Sequence, residues 1–445
     1  MQNRRDLLGS LGLMACMSAS LVSAQQTASF SRSRSAEWRS QLNQVLRENI
    51  LQFWLDRSID RESGGYAMHL DASGKRTAIN TKGIVTQARM LWFFSRVARN
   101  DFGGVELPDK AQLLNAAKHG WEFLRDIMWD HEHGGFFWMI DPAAERVLMP
   151  GKHLYGQSFA LYGLAEYYRA SGEREARGLA EVLVNLLEEH AHDAHFGGYQ
   201  EHFEPDWAKP AKETRGYLGP AHWKLMNTHL HLMEAFSTWV AAHETPLGRR
   251  RLDELVQIQS TAVVRPQLGA CTDKYERNWT PILDGANGRI SYGHDLENVW
   301  LLVDANRNLG RSSYPLLDLF RSLWAYSLRY GYDEKSGGFY DSGDPNQPAS
   351  KRSKVWWVQA EALVSALTMF ELTEDHRYLG IFEQTWNFVR HSMIDTQHGE
   401  WHGDVSETGV PSGGKGHNWK SAYHNGRAMI ECLQILQRLE HRLPV

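Results

Sequence analysis

Asp60-Arg-Glu-Ser-Gly-Gly-Tyr66 recurs along the chain as Asp130-His-Glu-His-Gly-Gly-Phe136, Asp193-Ala-His-Phe-Gly-Gly-Tyr199 and Asp333-Glu-Lys-Ser-Gly-Gly-Phe339, with a weaker copy in Asp395-Thr-Gln-His-Gly-Glu-Trp401. The copies start 70, 63, 140 and 62 residues apart. The gap of 140 predicts one degenerate copy inside it, at Asp273-Lys-Tyr275, with its glycines gone. A period of this kind fixes an architecture before any single element is assigned. Amphipathic stretches, apolar at every third and fourth residue, precede the copies (38–55, 113–128) and follow them (84–97, 156–168, 225–240, 296–309, 358–372, 424–439). Each unit of about 65 residues reads as helix, Gly-Gly turn or short hairpin, helix. Six such hairpins predict an all-α (α/α)6 barrel with the second helix of each pair inside, and the count of six favours a closed ring over an open solenoid.

The rest of the chain fits one large domain. Its 445 residues, 42% hydrophobic and 23% charged, have the composition of a folded protein able to bury a sizeable core. The net charge of −5, from 48 basic and 53 acidic residues without long blocks of either sign, argues against nucleic acid as a partner. Seventeen Trp and 21 His point instead to sugar rings stacked on indole and to proton transfer near neutral pH.

Residues 1–24 carry Arg4-Arg5, an apolar stretch at 7–22 and Val22-Ser23-Ala24, the three parts of a cleavable export signal of twin-arginine type. The expected location is periplasmic or extracellular. The apolar stretch falls short of the ~20 residues a spanning helix needs, and Leu13-Met-Ala-Cys16 is a poor lipoprotein box. After cleavage only Cys271 and Cys432 remain, too few for a disulfide framework. Residues 25–36 read as a polar linker and 37–442 as the single catalytic domain.

Polar and aromatic residues that break the apolar pattern gather near the starts of the second helices. Arg89 follows its copy by 29 residues, Tyr155 by 25, Asn227 by 34, His294 by 21, Trp357 by 24 and His424 by 29. Equivalent positions in a ring of helices converge at one end, so these six predict a pocket fed by every repeat. Spacings of three and four put partners on shared helix faces: Asn227 with His231, His294 with Glu297 and Trp300, Trp357 with Glu361, His424 with Arg427 and Glu431. Trp419, five residues before His424, is expected in a loop at the pocket mouth, with Trp357 deeper. His229 and His231 lie about 200° apart on a helix, and there is neither a His-Glu-x-x-His motif nor a Cys-rich set, so no catalytic metal is expected. No phosphate-binding Gly-rich loop is present, and no nucleotide cofactor is expected.

Four segments, Asn227-Thr-His-Leu-His231-Leu-Met-Glu-Ala, Tyr292-Gly-His-Asp-Leu-Glu-Asn-Val-Trp300, Lys354-Val-Trp-Trp-Val-Gln-Ala-Glu361 and Trp419-Lys-Ser-Ala-Tyr-His424-Asn-Gly-Arg427, resemble in order the cellobiose 2-epimerase branch of the N-acylglucosamine 2-epimerase superfamily. The resemblance implies an (α/α)6 barrel and cofactor-independent inversion at C2 of the reducing-end sugar of β-1,4-linked disaccharides. It implies that His294 and His424 are the acid/base pair, His231 the ring-opening histidine, and Arg89 and Arg427 binders of substrate or intermediate. Glu297 and Glu361 match essential carboxylates; Tyr155, Asn227, Trp300, Trp357 and Trp419 match pocket positions. The export signal departs from many cytoplasmic relatives.

The chemistry of those residues agrees independently. Epimerising an aldose at C2 requires ring opening, removal of the proton alpha to the C1 carbonyl, and its return on the other face of a planar enediolate. Opposed histidines suit this because an unperturbed pKa near 6.5 lets either give or take a proton. Glu297, on the His294 face, is expected to fix the tautomer of His294, and an arginine to hold the enediolate oxygen. Competing readings are an aldose–ketose isomerase of the same superfamily, a glycoside hydrolase using Glu297 and Glu361, and a sugar-binding module. The expected partner is a small disaccharide, and the chain is expected to act as a monomer.

Overall fold

The Asp-x-x-x-Gly-Gly signature builds the same local structure in successive repeats. In the computed structural model, which describes residues 30–79, 81–102 and 107–443, Asp60 Oδ1 accepts the N–H groups of Glu62 (3.2 Å) and Ser63 (3.3 Å) while Gly64 and Gly65 turn the chain at φ +75° and +62°. A Cβ on Gly65 would lie 2.6 Å from Gln87 Oε1, so glycine is needed for space as well as for φ. A buried ion pair ties the turn to the strand before the next helix: Lys82 Nζ lies 2.8 Å from Asp60 Oδ2. The pair recurs as Lys152 with Asp130, Lys224 with Asp193, Lys354 with Asp333 and Lys415 with Asp395.

The degenerate copy is not at Asp273. Each turn is closed by an antiparallel bridge, Ile59 with Tyr66 and Trp129 with Phe136 for example, and in the fourth unit the matching pair is Val264 with Cys271. Arg265 therefore stands at the Asp position, eight residues before Asp273, and one glycine survives, Gly269 at φ +74°. Ile290, two residues before its inner helix, stands where Lys82, Lys152, Lys224 and Lys354 stand in theirs. Asp and Lys are lost together, which avoids leaving either charge buried alone.

The helices in chain order are α1 (Arg32–Gln44), α2 (Gln52–Arg57), α3 (Ile84–Arg99), α4 (Lys110–Phe123), α5 (Leu154–Ser171), α6 (Arg174–Leu186), α7 (Met226–Ala242), α8 (Pro246–Gln257), α9 (Tyr292–Asn308), α10 (Leu317–Gly331), α11 (Trp356–Thr373), α12 (His376–Phe388) and α13 (Tyr423–Arg442). The outer layer is α1 with α2, joined through a π-helical turn at Val45–Leu51, followed by α4, α6, α8, α10 and α12. Five of these helices start at side-chain caps, Ser31, Asp109, Glu173, Thr245 and Asp375. The predicted linker is shorter than expected: Ser31 caps α1, and Phe30 already packs 5.6 Å from Phe370. The proposed signal peptide and Cys16 lie outside the described residues.

The inner helices α3, α5, α7, α9, α11 and α13 pack each on the next, and α13 returns to α3, closing the (α/α)6 ring. They are buried on nearly every face, one side by the outer helices and the other by the lumen. Glu400, which replaces the second glycine of the last turn at φ +62°, helps to seal the closure. Its carboxylate accepts Trp54 Nε1 from α2 (2.6 Å), Lys420 Nζ (2.7 Å) and Asn425 Nδ2 (2.7 Å). Short strands of two or three residues join the helices at the end of the barrel where the inner helices begin. Among the described residues no helix is long and apolar enough to cross a membrane.

Candidate active site

Aligning the inner helices at Ile84, Leu154, Met226, Tyr292, Trp356 and Ala422 sorts the candidate residues into levels down the lumen. The second and third positions carry Tyr155, Asn227, Trp357 and Tyr423, then His294 and His424. The sixth carries Arg89, Phe159, His231, Glu297, Glu361 and Arg427, one from each helix. The ninth carries Trp92, Tyr162, Glu234 and Trp300. Arg89 therefore sits one turn below the other five residues with which it was grouped from the sequence.

His294 and His424 flank Trp357, whose ring centroid is 4.7 Å from one imidazole and 5.7 Å from the other. His424 Nδ1 lies 2.6 Å from Glu361 Oε1, and Trp300 Nε1 donates to Glu361 Oε2 at 2.8 Å. The carboxylate thus holds the proton on Nδ1 and leaves Nε2 with its lone pair. Burial, and then the charges of Arg89 and Arg427, push the His424 pKa well below the usual 6.5. His294 is half-buried, has no hydrogen bond to a described residue, and is lowered by burial against the pull of Asp273 and Asp341.

Glu297 does not serve His294. Three residues on, it lies one turn deeper, and its Oε1 accepts Arg427 NH2 at 2.7 Å. The same NH2 donates to Glu361 Oε1 at 2.7 Å, and NH1 bonds Glu234 and Tyr423. Arg427 is thus the hub of three buried carboxyl groups. Burial and the neighbouring Glu361 push the Glu297 carboxyl well above its ordinary range, and burial raises Glu361 against the pull of Arg427.

His231 Nδ1 lies 3.0 Å from Glu234 Oε2, and its ring packs 4.7 Å from Phe159 and edge-on to Tyr155 at 5.2 Å. Burial takes the His231 pKa to about 4 despite Glu234. Burial also opposes the Glu234 carboxylate, but Arg427, His231 and Tyr423 outweigh it and hold its pKa at about 2. Glu234 and Tyr423 went unselected in the sequence. A signal for Glu234 was present, since it is the only charged side chain, histidines aside, in the 17 residues of α7.

Arg89 packs its guanidinium 4.2 Å from the Phe159 ring and 4.5 Å from that of Tyr423, and donates to the Trp419 carbonyl (2.7 Å) and the Tyr155 hydroxyl (3.2 Å). Trp419 lies in the loop before α13, 39% exposed, with Trp138 6.3 Å and Tyr155 5.8 Å away. Asn227 is anchored by its backbone N–H on Asp273 Oδ1 (3.1 Å), and its own Oδ1 has no partner among the described residues. Ligand-type atoms of Glu297, Glu361 and His424 lie within 4.8 Å of one another. Arg427 already lays its guanidinium against both carboxyl groups, so the chain supplies its own cation there.

Two histidines standing one turn above a guanidinium–carboxyl cluster are joined by a match in sequence: the N-acylglucosamine 2-epimerase (GlcNAc 2-epimerase) family profile covers residues 64–428. The chain belongs to the N-acylglucosamine 2-epimerase family. It is 31% identical over 409 residues to the cellobiose 2-epimerase of Ruminococcus albus, covering 90% of this chain and 98% of that one. It is 29% identical over 406 residues to the cellobiose 2-epimerase of Dictyoglomus turgidum, with the same coverage. The solved cellobiose 2-epimerase of Spirochaeta thermophila superposes with a TM-score of 0.81 at 33% identity, over 92% of this chain and 98% of that one. Within the family the chain groups with the cellobiose 2-epimerase branch, and it is a carbohydrate epimerase.

Proposed function

We propose that this epimerase inverts C2 of the reducing-end sugar of a β-1,4-linked disaccharide, taking cellobiose to glucosyl-mannose or mannobiose to mannosyl-glucose, by proton transfer between His294, His424 and an enediolate. The observation that carries the reading is the 2.6 Å contact of Glu361 with His424 Nδ1, which leaves Nε2 as a base toward the lumen. Neutral His424 removes the C2 proton, the C–H electrons form the C1–C2 double bond, and the carbonyl electrons move to O1. Glu361 then faces an imidazolium it can stabilise. His294, at the same level across Trp357, enters as the imidazolium and gives its proton to the other face of C2. His231, backed by Glu234, serves the O1–O5 proton exchange that opens and closes the ring, and Arg89 holds the oxyanion. No electron leaves the sugar, so the reaction needs no redox cofactor. With the signal read at residues 1–24, we place the reaction outside the cytoplasm, carried out by a monomer.

The test is incubation with cellobiose or mannobiose in deuterated water. The C2 epimer with deuterium at C2 is the expected product. A ketose would make the enzyme an isomerase, free monosaccharide a hydrolase, and unchanged sugar a binding protein.

A further inference from the structure

We infer that Glu297 is a neutral carboxylic acid in the working enzyme, a positioning residue that leaves the charge of Arg427 to Glu234 and Glu361 and so keeps His424 a free base. This rests on the epimerisation proposed above.

The geometry is a count of charges in a closed space. Glu234, Glu297 and Glu361 are each 4% exposed or less, and all three bond one guanidinium, that of Arg427, itself 1% exposed. The second cation of the lumen, Arg89, bonds none of them; its donors go to the Trp419 carbonyl and the Tyr155 hydroxyl. The three carboxyls are not equally served. Both oxygens of Glu361 are bonded, to His424 and Arg427 on one and Trp300 on the other. Both oxygens of Glu234 are bonded too, to Arg427 on one and to His231 and Tyr423 on the other. Glu297 has a single partner on Oε1, and its buried Oε2 has none among the described residues. Carboxylates crowded into one site do not all ionise, and the proton settles on the one with the fewest compensating donors. Burial and the neighbouring Glu361 raise the Glu297 carboxyl, in keeping with this.

The groups facing Glu297 from the packed elements support the count. They are Glu234 on α7, Glu361 on α11, Arg427, Tyr423 and His424 on α13, and Tyr155 on α5, with His231 at the same level on α7. Asp295, on its own helix, points away and accepts the Cys271 N–H at 2.9 Å. Glu431, deeper on α13, faces Arg96 at 3.8 Å. The outer helices behind α9 keep charges such as Asp253, Glu254 and Asp318 in ion pairs away from the lumen.

With Glu297 neutral, Arg89 and Arg427 balance Glu234 and Glu361 before the reaction. Once the C2 proton has moved to His424, its charge balances the enediolate until His294 reprotonates C2. With Glu297 ionised, the buried cluster carries three carboxylates against Arg427 and Arg89, because the proton that His294 brings sits one turn higher on a half-buried ring that bonds none of them. That excess negative charge would hold a proton on His424 and cost it its role as base.

The test pairs infrared spectroscopy with kinetics on Glu297→Gln and Glu361→Gln. The wild type minus Glu297→Gln difference spectrum at pH 7 should show the carbonyl band of a protonated carboxylic acid. Glu361→Gln removes one negative charge, so Glu297 should then ionise and the band should vanish without Glu297 being touched. The kcat of Glu297→Gln, which keeps the neutral shape, should fall at least tenfold less than that of Glu361→Gln. No such band in the wild type, a band unchanged in Glu361→Gln, or equal losses of kcat would each overturn the inference. Should Glu297→Gln fail to fold, the spectra of wild type and Glu361→Gln decide. If the wild type makes no epimer, the functional reading fails, and the spectra still decide where the proton resides.

Discussion

Removing the Trp419 indole tests whether the pocket mouth holds the second sugar. The ring is 39% exposed at the edge of the lumen, beside Trp138 and Tyr155. An aromatic side chain offers about 150–250 Å², so the exposed share is roughly 80 Å². At ~25 cal/mol per Å² that area is worth about 2 kcal/mol if all of it meets sugar, and about 1 kcal/mol if one face does. The loss in Trp419→Ala is therefore about 5- to 30-fold in disaccharide kcat/KM, since about 1.4 kcal/mol is tenfold. Arg89 should keep its place, because its contact in this loop is with the backbone carbonyl of Trp419 and not the ring. The assay compares kcat/KM of wild type and Trp419→Ala on cellobiose or mannobiose with that on glucose or mannose. Where monosaccharide turnover is too slow, calorimetric binding in a His424→Ala background replaces it. A monosaccharide in the reacting position does not reach the indole, so its value should barely move. An equal loss for both sugar lengths would show that Trp419 closes the barrel end and would remove the argument for disaccharide stacking.

His294→Ala and His424→Ala should each lower C2 epimerisation by at least about 10²-fold with circular dichroism unchanged; near-normal turnover in either folded variant defeats the two-histidine mechanism. Because the folded site depresses the His424 pKa, its neutral base form persists as pH falls through 6.5, and the acid limb of kcat/KM should have its midpoint below that value. The limb reports the coupled site rather than one residue, and a midpoint above 6.5 contradicts the burial argument. Lys82→Met should destabilise the fold by about 3–5 kcal/mol in urea unfolding, because it strands Asp60 without its buried partner, whereas Lys82→Met with Asp60→Asn should recover part of that loss. Equal losses in the single and double variants would show that the pair carries no charge coupling.

The sequence by itself determined the ring. The Asp-x-x-x-Gly-Gly turn is written within seven residues, because its hydrogen bonds span two or three positions and its glycines answer to local φ. Where that local chemistry was replaced, by Arg265 and Ile290, the signature vanished, and Asp273 took its place by spacing alone. The lumen-facing residues were legible too, since polar side chains broke an apolar helix pattern near the start of each second helix. Their pairing was not. Glu361 meets His424 across 63 residues and Glu234 meets Arg427 across 193, contacts that exist only once α13 has closed on its neighbours. The helical spacing that put Glu297 on the face of His294 was correct, yet three residues of rise carry it about 4.5 Å down the lumen. It left His294 without a carboxylate partner and reached the level of Arg427. On a helix buried on every side, a shared face names the wall, and only the packing of the other five helices decides which group stands opposite.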